Sequence, residues 1–204
     1  MRALAAVLLL LLTGCTPSLV GLTPTPPAPP PGAVLHFRPV LAVSTSTTPT
    51  SITGIPRKAE PDTAAVAEAR RVRQDPGLTG ETVPSFSCPA EDPLAGRDDP
   101  ALPLVTCGRD GSVYVLGPAE LDRSHVEDAE ARGEVVEVRF TVPGGVRWAD
   151  FTGRNVGRRV AVVVNTLVVS APTVQEAITG GSAQISGPFT EAEAEELAGR
   201  VTGG

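Results

Sequence analysis

Residues 151–187 read FTGRNVGRRVAVVVNTLVVSAPTVQEAITGGSAQISG, and they say more about the fold than any other stretch of the chain. Two short runs rich in β-branched residues, 160–164 and 167–169, are separated only by Asn165 and Thr166. Such runs favour buried strands, and Asn tolerates the positive φ that a two-residue connection requires. The pattern therefore predicts a β-hairpin that turns at these two residues.

The residues after this hairpin predict one more strand and a helix. Residues 170–172 (Ser-Ala-Pro) end the hairpin, because proline cannot donate a hydrogen bond to a sheet. The Gly-Gly pair 180–181 marks a turn, after which 183–186 forms a short strand. Thr190 then serves as the N-cap of a helix over 191–198, whose acidic residues face the positive end of the helix dipole.

Small and polar residues in this region follow three consecutive patterns, N-x-G-x-R-x-A, V-x-S-A-P and I-x-G-G-x-A-x-I-x-G-x-F-T. In this order they resemble the head subdomain of the first extracytoplasmic domain of SecD, a protein-export subunit. The matching positions are Asn155, Gly157, Arg159, Ala161, Val168, Ser170, Ala171, Pro172, Ile178, Gly180, Gly181, Ala183, Ile185, Gly187, Phe189 and Thr190. The family's hairpin usually turns on Asp-Gly, whereas β-branched Thr166 disfavours positive φ. The turn type and any role of the loop tip therefore stay open.

Upstream of the hairpin the chain alternates between predicted strands and helices. Residues 113–116 form a strand followed by Gly-Pro, as in the SecD head, and 126–132 have the composition of a short helix. Residues 134–142 alternate polar and apolar side chains, which indicates a strand with one wet face. The Pro-Gly-Gly sequence at 143–145 breaks this strand, and a helix over 146–155 follows.

The order of these elements predicts an α+β fold over 85–204, with a largely antiparallel sheet and helices on one face. The predicted domain resembles the SecD head and follows a Pro/Ser/Thr-rich linker. The inward face of this helix is expected to consist either of Val146, Ala149, Phe151 and Val156 or of Trp148 and Phe151. Trp148 is interpreted as a core residue rather than a platform for a ligand.

The segment before this domain, residues 34–84, combines one strand with a low-complexity linker. Residues 33–43 alternate enough to form a strand interrupted at Pro39, and their Phe-Arg-Pro-Val step resembles a strand of many SecD sequences. Most of 44–82 is linker, with a Ser/Thr-rich start that cannot bury a core. Residues 62–72 favour a helix, which we interpret as fluctuating rather than packed.

The N-terminus predicts a lipoprotein signal peptide over residues 1–14. A short positive start precedes an apolar run over 3–12, and Leu-Thr-Gly-Cys at 12–15 resembles a bacterial lipobox. Cys15 would then be acylated and become the mature N-terminus, and several acyl chains anchor a protein stably. An ordinary cleaved signal with an accidental cysteine is the alternative. No second apolar run is long enough to predict a transmembrane helix.

The next segment, 15–33, is crowded with prolines and predicts a semi-rigid tether. A motif for a proline-binding partner is the alternative. Farther along the chain, Cys88 and Cys107 bracket a loop rich in Pro, Asp and Gly. Two unpaired thiols would be unusual in an exported protein, so we expect a disulfide worth roughly 3 kcal/mol. Two free cysteines are the other possibility.

Charge and residue types argue against several function classes. The net charge of −6 and the pI near 5.0 argue against nucleic acid and against electrostatic binding to anionic lipid. His36 and His125 are isolated, so we expect no metal site. No catalytic Ser/His/Asp set or phosphate-binding loop is indicated, so the expectation is no enzyme and no cofactor. Acidic residues at the start of the last helix are interpreted as solvated partners of its dipole: Glu193, Glu195 and Glu196.

The lipobox and the SecD resemblance together predict a protein held by lipid on the extracytoplasmic face of the cell membrane. It would bind exported polypeptide as an accessory to translocation, without proton coupling of its own, and its partners would be translocon subunits and exported preproteins. Binding is expected by addition of the polypeptide to a sheet edge. Candidate contact residues, carried over by position, are Asn165, Thr166, Val168, Ser170, Ala171 and Pro172. The alternative is an envelope interaction module that reuses the head fold with no export role.

Overall fold

The computed structural model describes residues 33–44, 54, 56–57, 63–81 and 83–202. Its elements follow the chain as β1 (Leu35–Ser44), α1 (Thr63–Arg73), β2 (Leu104–Cys107), β3 (Val113–Leu116), β4 (Leu121–Asp122), a 3₁₀ turn (Arg123–His125), β5 (Val126–Arg132), β6 (Val135–Phe140), α2 (Val142–Arg154), β7 (Val160–Val164), β8 (Leu167–Ser170), β9 (Ser182–Ser186) and α3 (Glu191–Thr202). Neighbouring strands run antiparallel, so the predicted α+β class is confirmed. The predicted signal peptide, Cys15 and all of the tether but its last residue lie outside the described residues.

The larger sheet has the strand order β2-β3-β1-β7-β8, with β4 paired beside β1. The central strand is β1, in which Phe37 lies opposite Val162 of β7. This strand continues through Pro39, where the sequence predicted an interruption. Pro39 is tolerated because it lies beside a bulge between Val40 and Ala42, where ladder bonding is already irregular. The packed structure therefore includes a strand that precedes residue 85.

The two ends of this strand order approach each other. Gly108, directly after β2, forms a parallel bridge with Val168 of β8. The backbone N–H of Arg109 donates to the carbonyl of Val168 at 3.1 Å. The larger sheet therefore curls until its outermost strands touch, and the edge of β8 is occupied at Val168.

A smaller sheet has the order β5-β6-β9, and here one prediction was wrong. The segment predicted as a helix over 126–132 is the strand β5. Gly133, with φ 63°, allows a two-residue turn that places Arg132 opposite Val135. Pairing with β6 and burial of Val126 and Ala129 override the helical preference of the Glu and Ala residues.

The main core lies between the two sheets, α2 and α3. At its centre the ring of Trp148 lies 5.1 Å from that of Phe37 and 5.2 Å from that of Phe140. Trp148 and Phe151 are buried, which confirms both as core residues. Val146, which belongs to the other predicted inward face, is 63% exposed, so that alternative was wrong.

Helix α2 begins earlier than predicted, because the residues taken as a break form its first turn. Thr141 caps the helix by accepting a hydrogen bond from the N–H of Gly144 at 3.1 Å. Proline suits the first turn of a helix, where its missing N–H has no intrahelical partner in any case. Gly144 is required because a Cβ there would lie 2.2 Å from the carbonyl oxygen of His125.

Helix α1 is packed, contrary to the interpretation as a fluctuating helix. Side chains alternate between the two faces of β7, and Ala161 and Val163 face a second core cluster. Val66 and Ala69 of α1 pack against this cluster. At its end, buried Arg73 donates from Nε to the carbonyl of Val105 at 2.8 Å and pairs with the carboxylate of Asp92. The helix therefore covers one face and one edge of the larger sheet.

Cys88 and Cys107 are joined by the predicted disulfide. Their Cα atoms lie 5.8 Å apart. The bond connects the segment before the Pro/Asp/Gly-rich loop to the end of β2, and the loop itself buries Leu94 against the second core cluster.

Candidate functional site

The hairpin of β7 and β8 turns at Asn165 (φ 48°) and Thr166 (φ 72°). Two successive residues with positive φ are the geometry of a type I′ turn, which suits the twist of the flanking strands. For a residue with a side chain this region costs roughly 1–2 kcal/mol, and Thr is unfavourable because of its branched Cβ. The turn type, which the sequence left open, is therefore type I′, and Thr166 is the strained residue in its second position.

Hydrogen bonds from a neighbouring loop and strand stabilise this strained residue. The hydroxyl of Thr166 donates to Oδ2 of Asp92 at 2.6 Å. Its carbonyl accepts a short hydrogen bond from the hydroxyl of Thr106. Asp92 also forms an ion pair with Arg73 at the end of α1. The hairpin tip and α1 therefore bind the same carboxylate.

Asn165 forms hydrogen bonds with segments on the other side of the hairpin tip. Its Oδ1 accepts from the backbone N–H of Val34 at 2.9 Å, and its Nδ2 donates to the carbonyl of Pro56 at 2.7 Å. Asn165, Thr166 and Val168 are only 3%, 1% and 3% exposed. Asn165 and Thr166 are therefore not accessible to a polypeptide, so the structure does not support them as contact residues. Val168 is buried as well, but it lies in the wall of the cleft described next.

Val168 and the other three predicted contact residues border an open cleft of about 300 Å³. Ser170 and Ala171 are half-buried and Pro172 is exposed. Other residues that line the cleft include Arg109, Tyr114, Arg159, Ser186, Gly187 and Pro188. The cleft therefore lies where the ends of β8 and β9 meet, and we take it as the candidate functional site.

Arg159 lines this cleft, and its contacts with other described residues are uncharged. Its Nε donates to the carbonyl of Ala171 at 2.9 Å, and its Nη2 donates to the hydroxyl of Tyr114 at 3.4 Å. The guanidinium lies 5.6 Å from the centre of the Tyr114 ring, within range of a cation–π contact. Burial, followed by the charge of Asp110, raises the pKa of Tyr114, so its hydroxyl stays protonated at neutral pH.

Arg109 also lines the cleft and was not identified from sequence. Its Nη2 pairs with Oε1 of Glu193, and its guanidinium lies 5.1 Å from the centre of the Phe189 ring. The residue is 7% exposed, and its buried Nη1 has no hydrogen-bond acceptor among the described residues. Arg109 and Glu193 are 84 residues apart, and no local pattern indicates that they meet.

Glu193 is therefore more than a solvated partner of the helix dipole, as the sequence suggested. Its Oε2 accepts from the backbone N–H of Thr190 at 3.0 Å, completing a capping box at the start of α3. Its Oε1 also accepts from the backbone N–H of Gly54 at 3.3 Å. The bond from Thr190, followed by that from Arg109, lowers the pKa of Glu193 to about 2.

The histidines occupy separate, partnered positions. Nδ1 of His36 lies 3.2 Å from Oδ2 of Asp98, and Nδ1 of His125 lies 2.9 Å from Oδ1 of Asp122. Within the described ranges, no three His, Cys, Asp or Glu residues are grouped so that they could hold a metal ion. In the same part of the chain, no helix has the length and apolar character needed to cross a bilayer.

Comparison with known families places this fold. The family described as "SecDF, P1 head subdomain" matches residues 104–204. Residues 104–204 are therefore similar to the SecDF P1 head subdomain. The protein translocase subunit SecD of Mycobacterium tuberculosis (strain H37Rv) is 38% identical over 147 residues, which are 65% of this chain and 26% of that protein. SecD of Streptomyces coelicolor is 34% identical over 139 residues, or 59% of this chain and 24% of that protein.

SecDF of Thermus thermophilus is 33% identical over 135 residues, or 66% of this chain and 18% of that protein. A solved structure described as "Structure and function of a membrane component SecDF that enhances protein export" has a TM-score of 0.48 at 27% identity, covering 86% of this chain and 64% of that one. The chain spans about a quarter or less of these curated relatives. The head subdomain includes β2 to α3, and with them every residue named above that lines the cleft.

Proposed function

We propose that this protein is an extracytoplasmic lipoprotein whose SecD-like head binds exported polypeptide as an accessory to translocation. Translocon subunits and exported preproteins are its proposed partners. The observation that carries the proposal is the cleft of the head subdomain, which is open to solvent beside Ala171 and Pro172 while the hairpin tip is sealed. No catalytic or cofactor role is part of the proposal.

The structure favours binding in the cleft over addition of a strand to the edge of β8. At Val168 that edge is occupied, because the carbonyl of Val168 accepts a hydrogen bond from the N–H of Arg109. At Val169 the edge is covered by Gly187, which lies so close that a Cβ added to it would be 2.9 Å from the carbonyl oxygen of Val169. The carbonyl of Ala171 is likewise taken by a hydrogen bond from Arg159. Bound polypeptide would therefore rest on side-chain surfaces of the cleft rather than extend the sheet.

Filling the cleft tests this binding mode. Ser186 is exposed and lines the cleft, whereas Gln184, two residues earlier in β9, is exposed and does not line it. We expect Ser186→Trp to weaken binding of a fluorescently labelled unfolded preprotein by about tenfold or more, equivalent to 1.4 kcal/mol. Gln184→Trp should bind as the unmodified protein does. Equal anisotropy titrations for the unmodified protein and both variants would contradict binding in this cleft.

The proposed anchor is tested independently at Cys15. We expect Cys15→Ser to move the protein from the membrane fraction to the soluble extracytoplasmic fraction, because acyl chains would no longer be attached. Mass spectrometry of a proteolytic digest of the unmodified protein should show the added acyl mass on the peptide that begins with Cys15. An unlipidated mature protein with a different N-terminus would contradict the anchor and leave the role of the cleft to its own test.

A further inference from the structure

We infer that the cleft contains a subsite for a carboxylate group, formed by the guanidinium groups of Arg109 and Arg159. The inference rests on the proposed function, since it names the group that the bound polypeptide presents to the head. The group is either the C-terminal carboxylate of the polypeptide or the side chain of an Asp or Glu residue within it.

The first observation is an unused donor on a buried side chain. Arg109 is 93% buried, since only 7% of it is exposed, and Glu193 accepts from its Nη2 alone. Its Nη1 is buried without an acceptor among the described residues. Leaving such a donor unpaired is costly, and more so for a charged group. Because Nη1 has almost no accessible surface, a ligand oxygen reaches it only when the side chains that cover it move, and it would then satisfy this donor.

The second observation is a charge without a counter-charge. Among the described residues, Arg159 contacts the carbonyl of Ala171 and the hydroxyl and ring of Tyr114, all of which are uncharged. No carboxylate among the described residues lies within 4.0 Å of its guanidinium nitrogens. A guanidinium offers five N–H donors in a planar fork that matches a carboxylate, and two of its nitrogens are engaged here.

The third observation concerns the one acidic side chain that lines the cleft. The carboxylate of Asp110 is occupied within its own turn, since Oδ1 accepts from the N–H of Ser112 at 3.0 Å and Oδ2 accepts from its hydroxyl at 2.9 Å. The carboxylate of Glu193 is likewise engaged, since it pairs with Arg109. Arg159 is therefore the cationic group of the lining that has no direct ion pair among the described residues, and it favours an anionic ligand at this place.

These observations point to recognition of a carboxylate rather than to binding through apolar contacts alone. Charge-assisted hydrogen bonds from arginine to a carboxylate are stronger than neutral ones, and they gain strength where water is partly excluded. The adjoining surfaces of Ala171, Pro172 and Pro188 would contact neighbouring residues of an extended polypeptide with little dependence on sequence. The subsite would therefore select where along a polypeptide the head binds.

Three labelled peptides of one length and sequence test the inference against the purified full-length protein in detergent. The first is uncharged with an amidated C-terminus, the second has a free C-terminal carboxylate, and the third is amidated with one internal Gln replaced by Glu. We expect at least one carboxylate peptide to bind about tenfold more tightly than the uncharged one. Whether the second or the third peptide gains more identifies the source of the carboxylate.

Matched variants locate the effect. Arg159→Gln should remove most of the preference for the carboxylate peptides, and Arg159→Lys should keep part of it because it keeps the charge without the planar fork. Arg158→Gln is the control, since it makes the same change of net charge at the exposed neighbouring residue. Circular dichroism and the urea midpoint establish that each variant is folded before it is compared.

The outcomes separate this inference from the proposed function. If the unmodified protein binds all three peptides equally, the carboxylate subsite is wrong and polypeptide binding stands. If it binds none of them, both the subsite and polypeptide binding are contradicted. A carboxylate preference that survives in Arg159→Gln, or that is lost equally in Arg158→Gln, would contradict the assignment to this cleft.

Discussion

Arg109, in the turn after β2, forms an ion pair with Glu193 in the first turn of α3. The pair ties the curled end of the larger sheet to the helix that covers the smaller one, and it borders the cleft. Because Glu193 also accepts hydrogen bonds from Thr190 and Gly54, one carboxylate connects three segments of the chain: the turn at Arg109, the backbone at Gly54 and the start of α3. Its charge should therefore matter for stability.

The first prediction concerns the pH dependence of this carboxylate. The pKa of Glu193 falls from 4.5 to about 2 on folding, so its charged form is the one that stabilises the fold. That contribution is complete above about pH 5 and is lost as the pH falls from about 4.5 to 2. We expect Glu193→Gln to be less stable than the unmodified protein at pH 7, with a difference that shrinks toward pH 2 in urea unfolding.

Glu195→Gln is the control for this titration, because Glu195 is exposed on the same helix and its replacement by Gln changes the net charge by the same amount. It should change the urea midpoint little at any pH. A difference between Glu193→Gln and the unmodified protein that stays constant from pH 7 to pH 2 would contradict the stabilising role of the ionised carboxylate.

A second ion pair lies entirely inside the molecule. Nη2 of Arg38 and Oδ2 of Asp98 are 2.8 Å apart, and neither side chain is exposed. Burial by itself raises the pKa of Asp98, but hydrogen bonds and charges from His36 and Arg38 outweigh it, so the pKa lies below its ordinary value. The aspartate is therefore ionised at neutral pH and balances the charge of the buried arginine.

We expect Asp98→Ala to lower the free energy of unfolding by about 3–5 kcal/mol, because it leaves Arg38 buried without a counter-charge. The double variant Arg38→Met, Asp98→Ala should be more stable than Asp98→Ala alone, since it buries no charge. Chemical denaturation of the unmodified protein, the double variant and the two single variants, Arg38→Met and Asp98→Ala, gives the coupling energy. Additive effects of the two substitutions would contradict a mutually dependent pair.

The disulfide should contribute measurably to stability. Cys88 and Cys107 are separated by 19 positions, and closing a loop of this size is worth roughly 3 kcal/mol through the unfolded state. We expect a reducing agent to lower the urea midpoint of the unmodified protein. The double variant Cys88→Ser, Cys107→Ser should already have the lower midpoint and should not respond to the reducing agent, whereas a response from it would point to another cause.

The strained turn residue gives an ordering of variants. Thr166→Val keeps the branched side chain at φ 72° but loses the hydrogen bond to Asp92, which for a charged acceptor is worth about 1.5–3 kcal/mol. Thr166→Gly loses the same bond but adopts positive φ without strain. We therefore expect the glycine variant to be the more stable of the two in thermal unfolding. The reverse order would show that this backbone conformation is not strained.

Local patterns predicted the hairpin, β9 and α3 because each is specified by neighbours in sequence. Runs of β-branched residues separated by Asn165-Thr166 formed the hairpin, and Thr190 capped the helix, as expected. The central position of β1 had no such signal, since it depends on pairing Leu35–Ser44 with residues that are 69 or more positions away in sequence.

The wrong predictions share one physical cause, which is tertiary context. Glu and Ala residues favour a helix in β5, but a turn at Gly133 pairs them with β6. Asn165 at a hairpin tip would ordinarily be exposed, but Val34 and Pro56 cover it. Arg109 carries no pattern of its own, and only the closure of the larger sheet brings it to the cleft.

Site-specific photo-crosslinking in cells tests the proposed role of the head in export. A photoreactive residue at Thr173, exposed beside the cleft, is compared with one at Glu127, exposed on β5. We predict adducts with exported preproteins and translocon subunits from position 173 and far fewer from position 127, in a lipidated protein. Adducts only with other envelope proteins, or equal adducts from both positions, would contradict an export role for this cleft and would favour an interaction module that has kept only the head fold.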